Sequence, residues 1–193
     1  MLYTLTWYLT VQLFALAALP LTLRLFRQLP DRGYAFARPL GILLVALALW
    51  YGASFDVLSN QRVTIVALLA ALGGISFAVW RREPMTDFLR ANRRVIVTTE
   101  LLFAGALAVW ALLRAYSPDI ATAGGEKFME FAFINSILRA ENFPPPDPWL
   151  SGFAISYYYL GYVMAAMLTK VSGVPASSAF NLLHALLFAL TVT

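Results

Sequence analysis

The side chains able to do chemistry are crowded into one stretch. Five charged residues fall within sixteen positions: Glu126, Lys127, Glu130, Arg139 and Glu141. Pro144-Pro145-Pro146, Asp147, Trp149 and a tyrosine triplet, Tyr157, Tyr158 and Tyr159, follow. A positioned carboxylate can take a proton from a reacting group or return one. Glu126 and Asp147 are therefore candidate catalytic residues, if they face one cavity. Lys127, Glu130, Arg139, Trp149 and the three tyrosines are candidate substrate contacts. The alternative is an ordered surface loop whose aromatics anchor it at a membrane interface. Residue types alone leave both readings open. Loops held by a rigid scaffold often carry function, and a helix with acids four residues apart, locked by prolines, is costly as a mere linker.

The elements that must hold this stretch are apolar. The chain has 193 residues, 61% hydrophobic and 12% charged, with mean hydropathy +0.72. Ordinary soluble domains are roughly 45–50% apolar, so the solvent for this chain is a bilayer. There is no cysteine and one histidine, His184, so neither a thiolate site nor a histidine cluster can hold a metal. The basic residues sit between apolar runs rather than on a polar domain. That points to membrane topology and away from nucleic acid. No P-loop and no dinucleotide-binding glycine fingerprint is present.

A crossing needs about 20 apolar residues. The runs Leu2–Leu23, Pro39–Phe55, Val63–Trp80, Val95–Leu113 and Ile155–Val171 are read as five complete spans, and Ser177–Thr193 as the start of a sixth. The expected fold is all-α, a polytopic transmembrane bundle with one amphipathic external surface helix. Residues 1–94 form a three-span region with basic loops. Residues 95–193 hold span four, an acidic loop over 114–152, span five and the partial span six. The last run carries no stop signal, so the chain is expected to be an N-terminal piece of a longer protein.

Charge orients the spans. Ten basic residues fall on one side by this assignment, Lys170 among them, and four on the other. The excess marks the cytoplasm, which puts the N-terminus and the loop 114–152 outside the cell membrane. That loop carries five acids against three bases. Within it, Gly124-Gly125 breaks the chain and a helix is expected from Glu126 to Ala140. Phe128, Phe131, Ile134 and Leu138 form its apolar stripe, facing the lipid boundary. The proline triplet ends it.

Glu100 is a carboxylate inside a span, costly there and a functional candidate by default; pairing with Arg93 or Arg94 is the structural alternative. His184 is read as a helix-packing residue, Asp56 as a boundary marker, Gly73-Gly74 as a close helix contact, and Asn181 as a cross-helix hydrogen bonder.

The ordered segments Thr99–Phe103 (TELLF), Ser117–Ile120 (SPDI), Glu126–Tyr162 and Ala179–Thr191 resemble the "YYY" family, uncharacterised multispanning prokaryotic membrane proteins named for the tyrosine triplet. The resemblance covers Arg94 onward. Where the family reads closer to E-K-P-M-D, Phe128 and Glu130 stand here for the proline and aspartate. The layout also resembles the C-type integral-membrane glycosyltransferases: an external loop opening with an acid, a surface helix, a proline-rich return and another span. That resemblance implies a glycosyltransferase using a polyprenyl-phosphate sugar, with Glu126 as the catalytic acid. It further implies a carboxylate deprotonating the acceptor or steadying a divalent cation, Lys127 or Arg139 meeting the phosphate, and aromatics stacking on the sugar. A transporter or assembly scaffold is the non-enzymatic alternative.

Overall fold

The structure is a computed structural model and describes residues 2–83, 85–120 and 125–193. The described residues are helical, joined by turns and one isolated antiparallel bridge. In order they are α1 (Leu2–Leu25), α2 (Ala37–Ser54), α3 (Arg62–Arg82), α4 (Thr86–Ala91), α5 (Arg93–Tyr116), α6 (Lys127–Arg139), α7 (Leu160–Ser172) and α8 (Ala176–Thr191). A single 3-10 turn, Tyr34–Phe36, leads into α2.

Helices α1, α2 with its 3-10 turn, α3 and α5 are long and apolar enough to cross a membrane. Their faces divide as a bilayer requires. On α1, Trp7, Val11, Phe14 and Ala18 are fully buried, while Leu2, Leu5, Leu9, Leu13 and Leu16 lie exposed on the opposite face. Both sets step by three or four residues, so one stripe meets protein and the other meets lipid. The chain is a multi-pass membrane protein, and its outward leucines contact lipid.

α1 and α2 cross closely at Gly41. A Cβ there would lie 2.2 Å from the Phe14 carbonyl oxygen, so only glycine admits this approach. Gly73 and Gly74 do not play that part: no neighbouring atom comes within 4 Å of a Cβ at either. The close contact expected there is at Gly41 instead.

The fifth expected span is different in kind. Helix begins only at Leu160, and α7 has 13 residues. At about 1.5 Å per residue it reaches roughly 20 Å, short of a hydrocarbon core about 30 Å thick. Both of its ends meet the same end of the bundle. Trp50, near the end of α2, donates to the Tyr159 hydroxyl (2.9 Å). Lys170 Nζ donates to the Asn60 carbonyl, and Arg62 Nη2 to the Val171 carbonyl (3.0 Å), both in or beside the α2–α3 turn. The chain then bends by 118° into α8. α8 runs back along α5, Asn181 facing Arg114 and Phe188 stacking on Trp110 at 4.5 Å. α7 thus keeps both ends at the loop end, and α8 leads from there along α5.

This corrects the topology. Lys170 sits at the end that carries the α2–α3 turn and the acidic loop, so nine basic residues gather at the opposite, arginine-rich end against five here. The charge asymmetry survives. Helices long and apolar enough to cross number four among the described residues, or five with the bent α7–α8 pair.

Asn60 is the pin of the loop end. Its side chain is buried and donates to the Ile137 and Ala140 carbonyls (2.8 and 2.9 Å), satisfying the last turn of α6. Its backbone N–H donates to the Glu141 carbonyl (2.7 Å). Helix ends leave carbonyls without partners, and here another turn supplies them.

Candidate functional site

α6 decides what the acidic loop presents. Its buried residues are Phe133, Ile134, Ser136 and Ile137, and Phe128 is exposed. The inward stripe is therefore rotated from the expected Phe128–Phe131–Ile134–Leu138 set, because α6 packs on α7 and α8 rather than lying in lipid. Gly124 lies outside the described residues. Gly125 takes φ 67° and turns the chain into the helix.

This rotation separates the two acids of the first turn. Glu126 precedes the helix and is exposed. Glu130, one turn on, is half-buried and lines a cavity of about 440 Å³ among α2, α6, α7 and α8. The walls are nearly all apolar, with Ile42, Ile134, Met164 and Leu187 among them; the polar side chains on it are Glu130, Tyr162 and His184. His184 Nδ1 lies 2.9 Å from the Phe180 carbonyl, and its ring meets Phe180 edge-on at 4.8 Å. His184 packs as expected and also faces the cavity.

A second cavity, about 240 Å³, opens where the proline-rich return passes the end of α6. Asp147, Arg139 and Ser136 line it. Ser136 donates to the Pro146 carbonyl at 2.5 Å. Asp147 Oδ1 accepts from the backbone N–H groups of Trp149 and Leu150 (2.8 and 2.9 Å). That is the local turn an aspartate before such a bend favours. Asp147 and Arg139 thus share one cavity and Glu130 belongs to another, while Glu126 lines neither. Lys127 opens α6, half-buried.

Aromatic rings cluster around Phe133 of α6. Phe133 meets Trp149, Tyr157 and Tyr162 at 5.6, 5.7 and 5.6 Å. The tyrosine triplet splits. Tyr159 turns inward to Trp50, while Tyr157 and Tyr158 stack at 4.0 Å with their hydroxyls hydrogen-bonded at 2.8 Å. That bond pushes Tyr157 up to about 12, with desolvation and the Glu126 carboxylate adding to it. Tyr158 stays 79% exposed and Trp149 54%, and neither lines either cavity.

Among the described residues no three His, Asp or Glu side chains gather as a metal site would require. The residues present do not fit a protein-held divalent cation, and no step below depends on one.

A further polar cluster lies inside the bundle toward the arginine-rich end. Arg38, 1% exposed, pairs through Nη2 with Glu100 Oε1 at 2.5 Å. Its Nε donates to Gln12 Oε1 (2.9 Å), and Gln12 Nε2 donates to Glu100 Oε2 (2.8 Å). Tyr34 donates to Glu100 Oε1 (2.9 Å), and the guanidinium lies 4.0 Å over Phe103. Glu100 pairs here, not with Arg93 or Arg94. Arg38 falls just before the apolar run that opens at Pro39, and no local pattern links positions 62 residues apart. Only the lone intramembrane acid hinted that a partner existed.

No curated protein and no solved structure matches the chain. The family described as an uncharacterized membrane protein, DUF2298, matches residues 44–193, which takes in α3 to α8, most of α2, the smaller of the two cavities and most of the larger one's walls. The chain belongs to that family of uncharacterized membrane proteins.

Proposed function

We propose that the protein is a membrane glycosyltransferase acting on a lipid-linked sugar at the loop end of the bundle. The observation that carries the proposal is the 440 Å³ apolar cavity holding a single carboxylate, Glu130, directly below the acidic loop. Binding sites for small ligands are of this size and this mostly apolar character. An isoprenoid chain suits the walls, and its sugar would lie under the exposed faces of Trp149 and Tyr158. Arg139, in the neighbouring cavity, supplies a cation for the phosphate. Residues 95–193 would carry Glu130 and the acidic loop, and 1–94 the scaffold together with the α2 wall of the cavity, with the loop end extracytoplasmic at the cell membrane.

The step balances without a cofactor. Glu130 accepts the proton of an acceptor hydroxyl. The hydroxyl oxygen then bonds to the anomeric carbon, and the bond from that carbon to the phosphate oxygen breaks. The phosphate leaves with the electron pair, on its lipid. Glu126, the acid that the glycosyltransferase resemblance singles out, stands exposed one turn earlier. It is assigned to orienting the acceptor.

The test uses the full-length protein in proteoliposomes with radiolabelled polyprenyl-phosphate hexoses, measuring label released from the lipid. Release is expected, and Glu130→Gln is expected to reduce it about 100-fold or more, the usual weight of a general base. Wild-type protein releasing no label, or Glu130→Gln matching it, overturns the assignment.

The break between α7 and α8 favours one second reading. Discontinuous helices at a buried site are a feature of secondary transporters. Uptake of a solute into sealed vesicles, without sugar release from lipid, is the result that would select it.

A further inference from the structure

A third cavity, about 170 Å³, lies on the other side of α8, in the groove where α8 meets α1 and α5. Arg114, in the last turn of α5, reaches it together with Tyr3, Thr4 and Ser178; Ala111 and Leu182 are among its apolar walls. We propose that this groove binds a phosphate group, with Arg114 as the anchor. The proposal does not rest on the glycosyltransferase reading, because α8 presents Ser178, Asn181 and Leu182 here and Leu183, His184 and Leu187 to the larger cavity.

The guanidinium is held in place and its charge is uncompensated. Nε and Nη2 both donate to one neutral oxygen, Asn181 Oδ1, at 2.9 and 2.6 Å. Asn181 is itself fixed, its Nδ2 donating to the Pro118 and Ser177 carbonyls at 3.0 and 3.1 Å. The amide oxygen is thereby aimed at the arginine. Arg114 belongs to neither ion pair among the described residues, and all ten acids of the chain are described. A guanidinium has five N–H donors. Two are spent on the amide, so three remain for a ligand, the Nη1 pair and one on Nη2.

A half-buried, positioned arginine beside three hydroxyls suits a tetrahedral oxyanion. Arginine matches phosphate with paired N–H donors and is less hydrated than an ammonium. Tyr3, Thr4 and Ser178 can each donate a hydroxyl proton. The groove lies at the loop end of crossing helices, and Tyr3, Leu112 and Leu113 around it are about half exposed or more. A lipid headgroup phosphate and a free phosphate share this chemistry, and both have access.

The experiment protects Arg114 in full-length protein from phenylglyoxal and reads its modification by peptide mass spectrometry. The protein is held in phosphate-free maltoside micelles, alone or with added phosphatidylglycerol, uncharged diacylglycerol or inorganic phosphate, with chloride as the control salt. Protection is expected with phosphatidylglycerol over micelles alone and over diacylglycerol. If inorganic phosphate protects equally, the source is the free anion; if only the anionic lipid protects, it is the headgroup. Absence of protection by both overturns the site. In titrations followed by thermal stability, Arg114→Gln is expected to weaken the apparent affinity about tenfold, as loss of a charge-assisted hydrogen bond implies. Arg114→Lys should retain part of the binding, and Arg82→Gln at the opposite end should leave it unchanged. An Arg114→Gln protein that folds and binds like wild type also overturns the site. The protection result stands without any variant.

Discussion

Replacing one partner of the Arg38–Glu100 pair should cost far more than replacing both. Arg38 is almost wholly enclosed, and Glu100 supplies its counter-charge at 2.5 Å. In Glu100→Leu the guanidinium keeps its charge, since arginine does not deprotonate in proteins, and is left with Gln12 and the Phe103 face. Breaking a buried pair from one side costs about 3–5 kcal/mol. Arg38→Met leaves a carboxylate whose side chain is 28% exposed, against 2% for the arginine, beside a pocket of about 60 Å³ with room for water. That variant should lose only about 1–3 kcal/mol. The double variant, Arg38→Met with Glu100→Leu, removes both charges and fills the space with apolar atoms, and should lie within about 2 kcal/mol of wild type. The coupling free energy is then at least about 2 kcal/mol, and the two single variants are ordered. The assay is equilibrium unfolding of the full-length protein in mixed micelles by denaturing detergent, run as a double-mutant cycle. Single effects that add to within about 0.5 kcal/mol, or an Arg38→Met costlier than Glu100→Leu, would refute the reasoning.

Three further outcomes follow from the described geometry. Asn60→Ala deletes two buried hydrogen bonds that finish α6. It should cost about 2–3 kcal/mol, read in the same unfolding assay, and should raise hydrogen exchange at the α6 end; unchanged exchange there would contradict the role. The chain has no cysteine, so single cysteines report sidedness cleanly. Ser172→Cys and Asn142→Cys should react with an impermeant maleimide from one face of oriented vesicles and Arg82→Cys from the other, whereas a crossing α7 would send Ser172→Cys to the Arg82 side. In Tyr158→Phe, Tyr157 should titrate closer to 10, followed by phenolate absorbance, since its rise to about 12 comes first from the Tyr158 hydroxyl. Folding raises that pKa, so the bond's contribution is complete below pH 10 and fades as pH climbs toward 12. An unmoved titration would remove the hydrogen bond as the cause.

The apolar runs located the crossing helices because burial in lipid writes itself into composition. Leu2–Leu23 became Leu2–Leu25, and Val95–Leu113 became Arg93–Tyr116. The same signal failed at Ile155–Val171. Hydropathy records that a segment avoids water, and α7, too short to cross as a single straight helix, avoids it by burying Val163, Ala165, Ala166 and Met167 in protein. The acidic loop was legible as the polar element, but the helix phase was not. Phe128 and Phe133 are equally apolar, and only packing on α7 and α8 selects Phe133 for the inside and brings Glu130, not Glu126, to the cavity. The Arg38–Glu100 pair and the Arg114–Asn181 contact join positions 62 and 67 residues apart. Periodicity carries no information over such separations. Asn181 was legible as a bonding residue on an apolar helix, though not its partner.

The Asn60 junction also sets an order of events during synthesis. Its side-chain partners come 77 and 80 residues later in the chain. At about 5–20 residues per second, the α2–α3 hairpin waits roughly 4–16 s for Ala140 to emerge. The turn spends that interval at the end of the bundle, where water can solvate the idle amide, so waiting carries little penalty there. α6 is the party that depends on the meeting: its last carbonyls find their protein donors only on a turn already in place. The early helices thus act as a template, and the candidate site takes shape on them after the membrane scaffold exists.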